Sequence, residues 1–269
     1  MLGAVAIPSD EETTLLAAYD AQLRGAAEMQ GAMSWDRDGP LWRAQFERAG
    51  FVSYESLADV ADVDALIRRT VAHYQGLERI EEFEWKTRGH DQPADLDSRL
   101  RRAGFVPEEV ETVMVGEAAK LAVEVELPDG VVIRRVDHLP ERAEVIAAAT
   151  RMQRAVFGSG PSAEEVLARL DRMGDDEQFW VAETSGLVVC AGRLSRVRGT
   201  EFAGLWGGAT DPEWRRRGIY RALTAARARA AIDEGVRYLH SDCTAMSRPI
   251  LQQSGLVAVT TTTPYLWHR

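Results

Sequence analysis

A run of basic residues followed by a glycine is the feature of this sequence best suited to chemistry. Residues 215–217 are arginines, and Gly218 follows them. The apolar stretch 202–210 before them is typical of a strand, and the alanine-rich stretch 218–234 is typical of a helix. The start of a helix presents backbone N–H groups and the positive end of the helix dipole. This spacing therefore predicts a site for a phosphate or pyrophosphate.

The second half of the chain supplies the elements that must position this loop. The turn-forming residues 128–130 mark its beginning, and a Ser162/Glu165 capping box starts one of its helices. The mixed order of elements predicts an α/β layered domain rather than a strict βαβ repeat. The patterns predict strands at 131–136, 179–183, 187–196, 202–210, 237–242 and 257–267, and helices at 139–156, 162–173, 218–234 and 248–253.

The first half of the chain contains no second phosphate-binding motif, and its sequence patterns predict both helices and strands. We predict a loop at 31–40, helices at 10–29, 62–74 and 95–103, and strands at 51–57, 80–87 and 110–115. The order strand, helix, Gly104-Phe105, strand resembles the order at the C-terminus. We place the domain boundary between residues 125 and 126, which gives domains 1–125 and 126–269.

The composition of the chain limits the kinds of partner that the protein is expected to bind and the compartment in which we expect it. The formal net charge of −10 argues against binding to nucleic acid or to an anionic membrane surface. We find no apolar run near the ~18 residues that would span a bilayer. Residues 1–10 lack the basic and apolar regions of a signal peptide, so we expect a cytoplasmic protein. The two cysteines and the five histidines show no metal-ligand spacing, so we expect no metal.

The loop also resembles a known family. Arg215, Gly218 and Tyr220 are similar to the Arg/Gln-x-x-Gly-x-Gly/Ala signature of the GNAT acyltransferases, and the resemblance extends over residues 131–269. It implies an α/β GNAT fold, with two tandem GNAT-like domains if the first half is a degenerate copy. An unrelated α+β extension is the alternative for that half. It further implies a β-bulge at Gly207-Gly208 and a splay between strand 202–210 and the next strand.

The resemblance implies an activity and a set of ligand contacts. The activity is transfer of an acetyl group from acetyl-CoA to an amine of a small molecule or peptide, by direct attack and without a metal. The backbone of the signature would bind the pyrophosphate of acetyl-CoA. The implied cofactor-binding residues are Ala209, Thr210, Arg215, Arg216, Arg217, Gly218, Ile219, Tyr220 and Thr244.

The sequence departs from the family pattern at three positions. Tyr220 stands where the signature has a small residue, so its side chain must point away from the phosphates. Leu251 replaces a tyrosine acid, and Gly204 occupies a familiar base position. We therefore predict Asp242 and Tyr265 as the catalytic acid–base residues.

Other polar residues stay open as the base, and so does the activity itself. Glu183, Glu201 and His240 are alternative bases, acting directly or through water. The departures also leave a second function, a non-catalytic acyl-CoA-binding or sensor module. The acceptor, the acyl length and the oligomeric state are not predicted.

Overall fold

The computed structural model describes residues 9–269 and divides the chain into two compact units. The first unit contains the described residues through Val115, together with Asp242–Arg248 and Val257–Arg269. The second unit contains Gly116–Ser241 and Pro249–Leu256. The signal-peptide expectation concerns residues 1–10, of which 1–8 lie outside the described residues. The domain boundary at 125/126 stays a prediction.

The helices and strands are numbered along the chain. The α-helices are α1 (Asp10–Leu23), α2 (Val63–Gln75), α3 (Leu96–Arg102), α4 (Ala118–Leu121), α5 (Arg142–Phe157), α6 (Ala163–Met173), α7 (Ile219–Asp233) and α8 (Arg248–Gln253). The strands are β1 (Ser34–Asp38), β2 (Leu41–Gln45), β3 (Ala49–Tyr54), β4 (Glu82–Arg88), β5 (Val106–Pro107), β6 (Glu111–Glu117), β7 (Val132–Arg135), β8 (Glu177–Thr184), β9 (Leu187–Arg196), β10 (Phe202–Thr210), β11 (Tyr238–Cys243) and β12 (Val257–His268).

In the first unit, the final strand of the chain pairs with strands from its beginning. β1, β2 and β3 form an antiparallel meander, and β3 pairs in parallel with β4 after the α2 crossover. β12 is antiparallel to both β4 and β6, and it also pairs with the short β5. Adjacent strand residues point to opposite faces. Phe83 and Trp85 therefore enter one apolar core with Tyr265, whereas Glu84, Lys86 and Arg88 point to the other face.

In the second unit, four antiparallel strands end in a parallel pair. β7, β8, β9 and β10 are antiparallel neighbours, and β11 runs parallel to β10 after the α7 crossover. The small residues Ala222, Ala225 and Ala228 are at most 4% exposed, so α7 lies close against its neighbours. This arrangement places the start of α7 at the end of β10.

The same order of elements occurs twice. Three antiparallel strands, a helix, a parallel strand and a short helix appear as β1-β2-β3-α2-β4-α3 and again as β8-β9-β10-α7-β11-α8. The two helix starts differ, however. Asp62 accepts a hydrogen bond from the N–H of Ala65 at 2.8 Å, so a carboxylate already caps α2. The first copy therefore lacks the features of an anion site at this position.

Two expectations about the first half are wrong. Residues 31–40, predicted as a loop, contain strand β1. Ser34–Asp38 pairs with Leu41–Gln45 around a tight turn at Gly39, which has φ +60°. The helix predicted over residues 10–29 ends at Leu23, because Arg24 is extended and a 3₁₀ turn over Gly25–Met29 follows. The other predicted elements are present, with ends shifted by a few residues.

Replacing Ser162 should measure the contribution of a cap to the second unit. The Ser162 hydroxyl accepts from the N–H of Glu165 at 3.2 Å, and the Glu165 carboxylate accepts from the N–H of Ser162 at 2.7 Å. We expect Ser162→Ala to lower the free energy of unfolding by about 1 kcal/mol. Denaturant titration measures this change. Ser162→Asp, which keeps an acceptor at the cap, should lose much less, and an equal loss in both variants would contradict the role of the cap.

Candidate active site

The loop between β10 and α7 is held by its own hydrogen bonds. Asp211 accepts from the N–H of Glu213 at 2.9 Å, and a 3₁₀ turn over Pro212–Trp214 follows. The Arg215 guanidinium donates to the carbonyl oxygen of Thr210 at 3.2 Å. An aspartate that bonds to the backbone two residues later favours a tight turn. The chain therefore passes from the end of β10 to the start of α7 in few residues.

The backbone in front of α7 has the shape of an anion-binding nest. Arg216 has φ +62° and Gly218 has φ +77°, and the intervening Arg217 has no positive φ. The N–H of Ala222 makes the first helical bond, to the Gly218 carbonyl at 2.9 Å. No side chain among residues 9–269 caps this helix start. Alternating backbone signs aim successive N–H groups at one point, and the helix dipole adds positive potential there.

Eight of the nine predicted cofactor-binding residues lie on this strand, loop and helix. They are Ala209, Thr210, Arg215, Arg216, Arg217, Gly218, Ile219 and Tyr220. Ile219 is 1% exposed, so only its backbone could meet a ligand. The ninth, Thr244, lies in the first unit, where its carbonyl accepts from the N–H groups of Ser247 and Arg248. Their contact with acetyl-CoA stays a prediction.

β10 contains the predicted bulge. Its register with β9 shifts between Trp206 and Ala209, which pair with Arg193 and Ala191. Gly207 and Gly208 therefore both stand opposite one residue of β9. Gly207 has φ +60°, a conformation that glycine adopts without strain. The bulge predicted at this glycine pair is confirmed, and it changes the direction of the strand just before the loop.

β10 and β11 separate along their length, as predicted. Their parallel pairing runs from Phe202 with Tyr238 to Gly204 with His240. Both strands continue beyond that rung, and the Ser241 hydroxyl donates to the Leu205 carbonyl at 2.9 Å instead of a backbone group. Beyond Gly204, β10 therefore makes no further ladder pairs with β11 among the described residues.

An indole ring occupies the space beside Gly204, where the family pattern has a base. A Cβ atom at Gly204 would lie 2.2 Å from Nε1 of Trp206, so no larger side chain fits there unless the indole moves. The Trp206 ring also meets the His240 ring edge-on, with centroids 5.3 Å apart. His240 is 8% exposed. This site therefore contains an imidazole near the separation of the strands and no carboxylate at position 204.

Two of the alternative bases are engaged in ion pairs. Glu183 accepts from the Arg134 guanidinium with both oxygens, at 2.9 and 3.2 Å. The Glu201 carboxylate is 3.7 Å from Arg237, and both side chains are about half exposed. These contacts are typical of structural carboxylates, so His240 is better placed than either.

Asp242, a predicted catalytic residue, belongs to a charged cluster of the first unit. Its carboxylate accepts from the ammonium of Lys86 at 2.7 Å, and its side chain is 5% exposed. The Lys86 ammonium is also 3.4 Å from Glu28, which pairs with Arg88 at 2.7 Å. Arg88 in turn donates to the hydroxyl of Tyr19 at 2.8 Å. Two cations and two carboxylates thus balance one another under α1.

The hydroxyl group of Tyr265, the other predicted catalytic residue, contacts a residue of α3. It donates a hydrogen bond to the carboxylate of Asp97. Burial and this hydrogen bond raise the pKa of Tyr265 to about 12. On β4, Trp85 stands opposite Tyr265 and Lys86 stands opposite Pro264. Tyr265 and Lys86 therefore lie on opposite faces of this sheet.

Glu84 is a titratable group that the sequence analysis missed. The alternation of residues 80–87 places charged side chains on one face, which suggested solvent rather than cover. In the structure burial raises the pKa of Glu84 to about 7, with Glu28 adding to the effect and Lys86 opposing it. No sequence signal identifies it, because the alternation of residues 80–87 does not show whether other segments bury the charged face.

Stability should depend on pH through Glu84. Between its ordinary value of 4.5 and the folded value of about 7, the folded state binds more protons than the unfolded state. The free energy of unfolding therefore falls as pH rises through this window. We expect Glu84→Gln to flatten this fall and to stabilise the protein by roughly 1–2 kcal/mol at pH 8. Denaturant titrations at pH 5 and pH 8 measure it. Glu82→Gln, two residues earlier on the strand and 46% exposed, is the control and should leave the slope unchanged.

Both cysteines are buried on strands. Cys190 lies on β9 and Cys243 on β11. Burial raises the pKa of each thiol to about 11. Thiols that stay protonated at neutral pH are poor nucleophiles. Within residues 9–269, no group of three or more His, Cys, Asp or Glu side chains could hold a metal ion, and no helix is long and apolar enough to cross a membrane.

Comparisons with known proteins agree with this geometry. Residues 145–249 match the model of the family described as Acetyltransferase (GNAT) family. A comparison with curated proteins found no match. The GCN5-related N-acetyltransferase from Kribbella flavida is 15% identical, with a TM-score of 0.66, and the match covers 97% of this chain and 96% of that one.

Two further solved structures are similar over most of the chain. A tandem GNAT protein from the clavulanic acid biosynthesis pathway is 12% identical, with a TM-score of 0.65 and coverage of 96% of this chain and 94% of that one. A functionally unknown conserved protein from Staphylococcus epidermidis is 16% identical, with a TM-score of 0.66 and coverage of 90% and 95%. At these identities the similarity concerns the fold.

Proposed function

We propose that this protein transfers an acetyl group from acetyl-CoA to an amine, because residues 145–249 match the model of the acetyltransferase (GNAT) family and the chain has the GNAT fold. The observation that carries the proposal is the nest of Arg216 and Gly218 at the start of α7. It lies inside the matched segment and suits the pyrophosphate of the donor. The acceptor is the amine of a small molecule or a peptide, and we expect the protein in the cytoplasm.

The residues around the nest fit a bound acetyl-CoA. Gly218 has an open neighbourhood, since a Cβ there would meet nothing closer than 3.6 Å, at Val125 and Glu126. Arg215, Arg216 and Arg217 are exposed and add positive charge on an acidic chain. Ala209 and Thr210 would hold the arm of the donor along the edge of β10. When bound, acetyl-CoA supplies an activated thioester carbonyl for attack by a neutral amine.

The chain itself must position the amine and take its proton. Orientation of the two reactants contributes much of the rate of such direct transfers. We propose Asp242 and Tyr265 as the acid–base residues, with His240 as the alternative base because it lies at the last rung of the β10–β11 pairing. Imidazole is suited to accept a proton near neutral pH. Activity of Asp242→Asn, Tyr265→Phe and His240→Ala, each checked for folding, tells which of them acts.

Two observations favour a second function, a non-catalytic acyl-CoA-binding or sensor module. The Trp206 indole occupies the space of the family base at Gly204, and Leu251 is 1% exposed where a tyrosine acid would stand. Gly204 and Leu251 therefore supply no acid or base, and neither residue belongs to the nest. A protein of this kind would bind acetyl-CoA and turn over no amine.

Calorimetry with acetyl-CoA and a thiol-release assay on a panel of amines test the two functions together. We expect binding of acetyl-CoA in the micromolar range and amine-dependent release of CoA. Binding without turnover on any small-molecule or peptide amine would favour the sensor. Absence of binding would overturn both functions.

A further inference from the structure

Tyr220 differs from the residues typical of its signature position, and its side chain has a specific place. It packs against β10, where a Cβ on Gly208 would lie 2.8 Å from both Cε2 and the hydroxyl oxygen of the Tyr220 ring. The φ of Gly208 is not in the left-handed region. Space rather than backbone conformation therefore requires glycine here, and the Tyr220 ring fills that space.

A buried arginine makes a matching contact on the neighbouring strand. Arg227 of α7 is 0% exposed, and a Cβ on Gly192 would lie 2.7 Å from its Nη1 atom. The same Nη1 donates to the Arg193 carbonyl at 2.9 Å. Tyr220 forms a side-chain hydrogen bond with Arg227. The two side chains of α7 are thus linked to each other and to both strands.

These contacts converge on the bulge. Gly192 is the β9 residue that stands opposite Gly207 and Gly208, because Arg193 pairs with Trp206 and Ala191 pairs with Ala209. Arg227 covers Gly192, Tyr220 covers Gly208, and the amide of Gln153 donates to the Gly207 carbonyl at 2.6 Å. Each of the three bulge residues is therefore held by one side chain from a helix.

Neutral hydrogen-bond acceptors, rather than a carboxylate, position the Arg227 side chain. Its Nε donates to the Leu223 carbonyl at 3.4 Å and its Nη2 to the Thr224 hydroxyl at 3.3 Å. None of the ion pairs among residues 9–269 includes Arg227. Burial lowers the pKa of its guanidinium. A buried cation without a counterion is costly, so the hydrogen bonds to β9 and Tyr220 must hold it firmly.

We propose that Tyr220 and Arg227 are positioning residues, which fix the β10 bulge so that Ala209 and Thr210 present their backbone to the acyl donor. The inference rests on the proposed function, because it assigns these residues to donor binding. It also gives the tyrosine of the signature a role: the ring replaces a small residue and is accommodated by Gly208. Neither side chain touches the reacting atoms.

A mutant cycle between Gly208 and Tyr220 tests the proposal. Gly208→Ala places a methyl group against the ring, so the bulge or the ring must shift. We expect Gly208→Ala to weaken acetyl-CoA binding roughly tenfold or more, and Gly208→Ala/Tyr220→Ala to bind within about threefold of Tyr220→Ala alone. Tyr220→Phe keeps the ring and loses the bond to Arg227, so its loss should be smaller than that of Tyr220→Ala. Calorimetry gives the affinities, and thermal unfolding of all five proteins confirms that each is folded.

Kinetics separate positioning from general stability. A positioning role predicts that KM for acetyl-CoA rises in both Gly208→Ala and Tyr220→Ala while KM for the amine stays constant, and that the double variant has the same donor KM as Tyr220→Ala. Unchanged donor affinity in Tyr220→Ala, or a loss in the double variant equal to the product of the two single losses, would mean that Gly208 is needed for the ligand rather than for Tyr220, and would overturn the proposal alone. Absence of acetyl-CoA binding by the wild-type protein would instead overturn the proposed function, and the positioning role with it.

Discussion

Gly218→Glu should abolish high-affinity binding of acetyl-CoA, with a loss of about 100-fold or more, equivalent to about 2.7 kcal/mol. Gly218 has φ +77°, a conformation that side chains other than glycine rarely adopt. Its N–H belongs to the nest at the start of α7, where the pyrophosphate is proposed to lie. A carboxylate there adds negative charge where the site must attract an anion. Calorimetry with acetyl-CoA measures the loss.

Two control variants separate charge from backbone strain. Gly218→Gln has nearly the same size and the same strain but no charge, so it should retain more affinity than Gly218→Glu. Gly235 has φ +80° with nothing within 4 Å, and it follows the other end of α7. Gly235→Glu therefore introduces comparable strain and charge away from the nest and should bind acetyl-CoA normally. Equal loss in Gly218→Glu and Gly235→Glu would place the pyrophosphate elsewhere.

The strand, loop and helix of this site could be predicted from sequence because their determinants are local. An apolar run, turn residues, a glycine and an alanine-rich stretch each act within a few positions of one another. The GNAT fold expected from the signature is confirmed by the family match and the solved structures. The bulge at Gly207-Gly208, which the resemblance to this family implies, is confirmed by the register of β10 with β9.

The surroundings of the proposed acid–base residues could not be predicted in this way. Lys86 and Asp242 are 156 residues apart in the chain, and nothing in either segment announces the other. The same holds for Tyr265 and Asp97, which are 168 residues apart. Register determines these contacts, because a shift of one residue would turn each side chain to the other face.

The position of the Trp206 side chain relative to Gly204 could be predicted from the sequence only in part, once both residues are assigned to one strand. Residues two apart on a strand share a face, so a large ring at 206 can cover a glycine at 204. The spacing alone does not say that the indole turns toward Gly204 rather than away. The ring excludes a carboxylate from position 204. Catalysis therefore needs a base elsewhere, or the protein binds acyl-CoA without turnover.

The effects of replacing Lys86 and Asp242 on the free energy of unfolding should be strongly coupled, because the two side chains form an ion pair. Burial alone would lower the pKa of Lys86, but the carboxylates of Asp242 and Glu28 outweigh it and raise the pKa above the ordinary 10.5. A raised lysine pKa stabilises the fold fully below the unfolded value and is lost only at higher pH. From pH 6 to 9 the contribution is therefore constant. We expect Asp242→Asn to lower the free energy of unfolding by about 3 kcal/mol, because it leaves a buried ammonium poorly compensated.

The double variant Lys86→Met/Asp242→Asn separates a structural role of Asp242 from a catalytic one. It removes both charges of the pair, while Glu28 keeps its partner Arg88 at 2.7 Å. We expect it to recover most of the lost stability, with a coupling free energy of about 2 kcal/mol in denaturant titrations. If Asp242 is the acid–base residue, the double variant stays inactive although folded, whereas Lys86→Met keeps kcat per folded molecule. Recovery of activity together with stability in the double variant would assign Asp242 to the fold and turn the search for the base to His240.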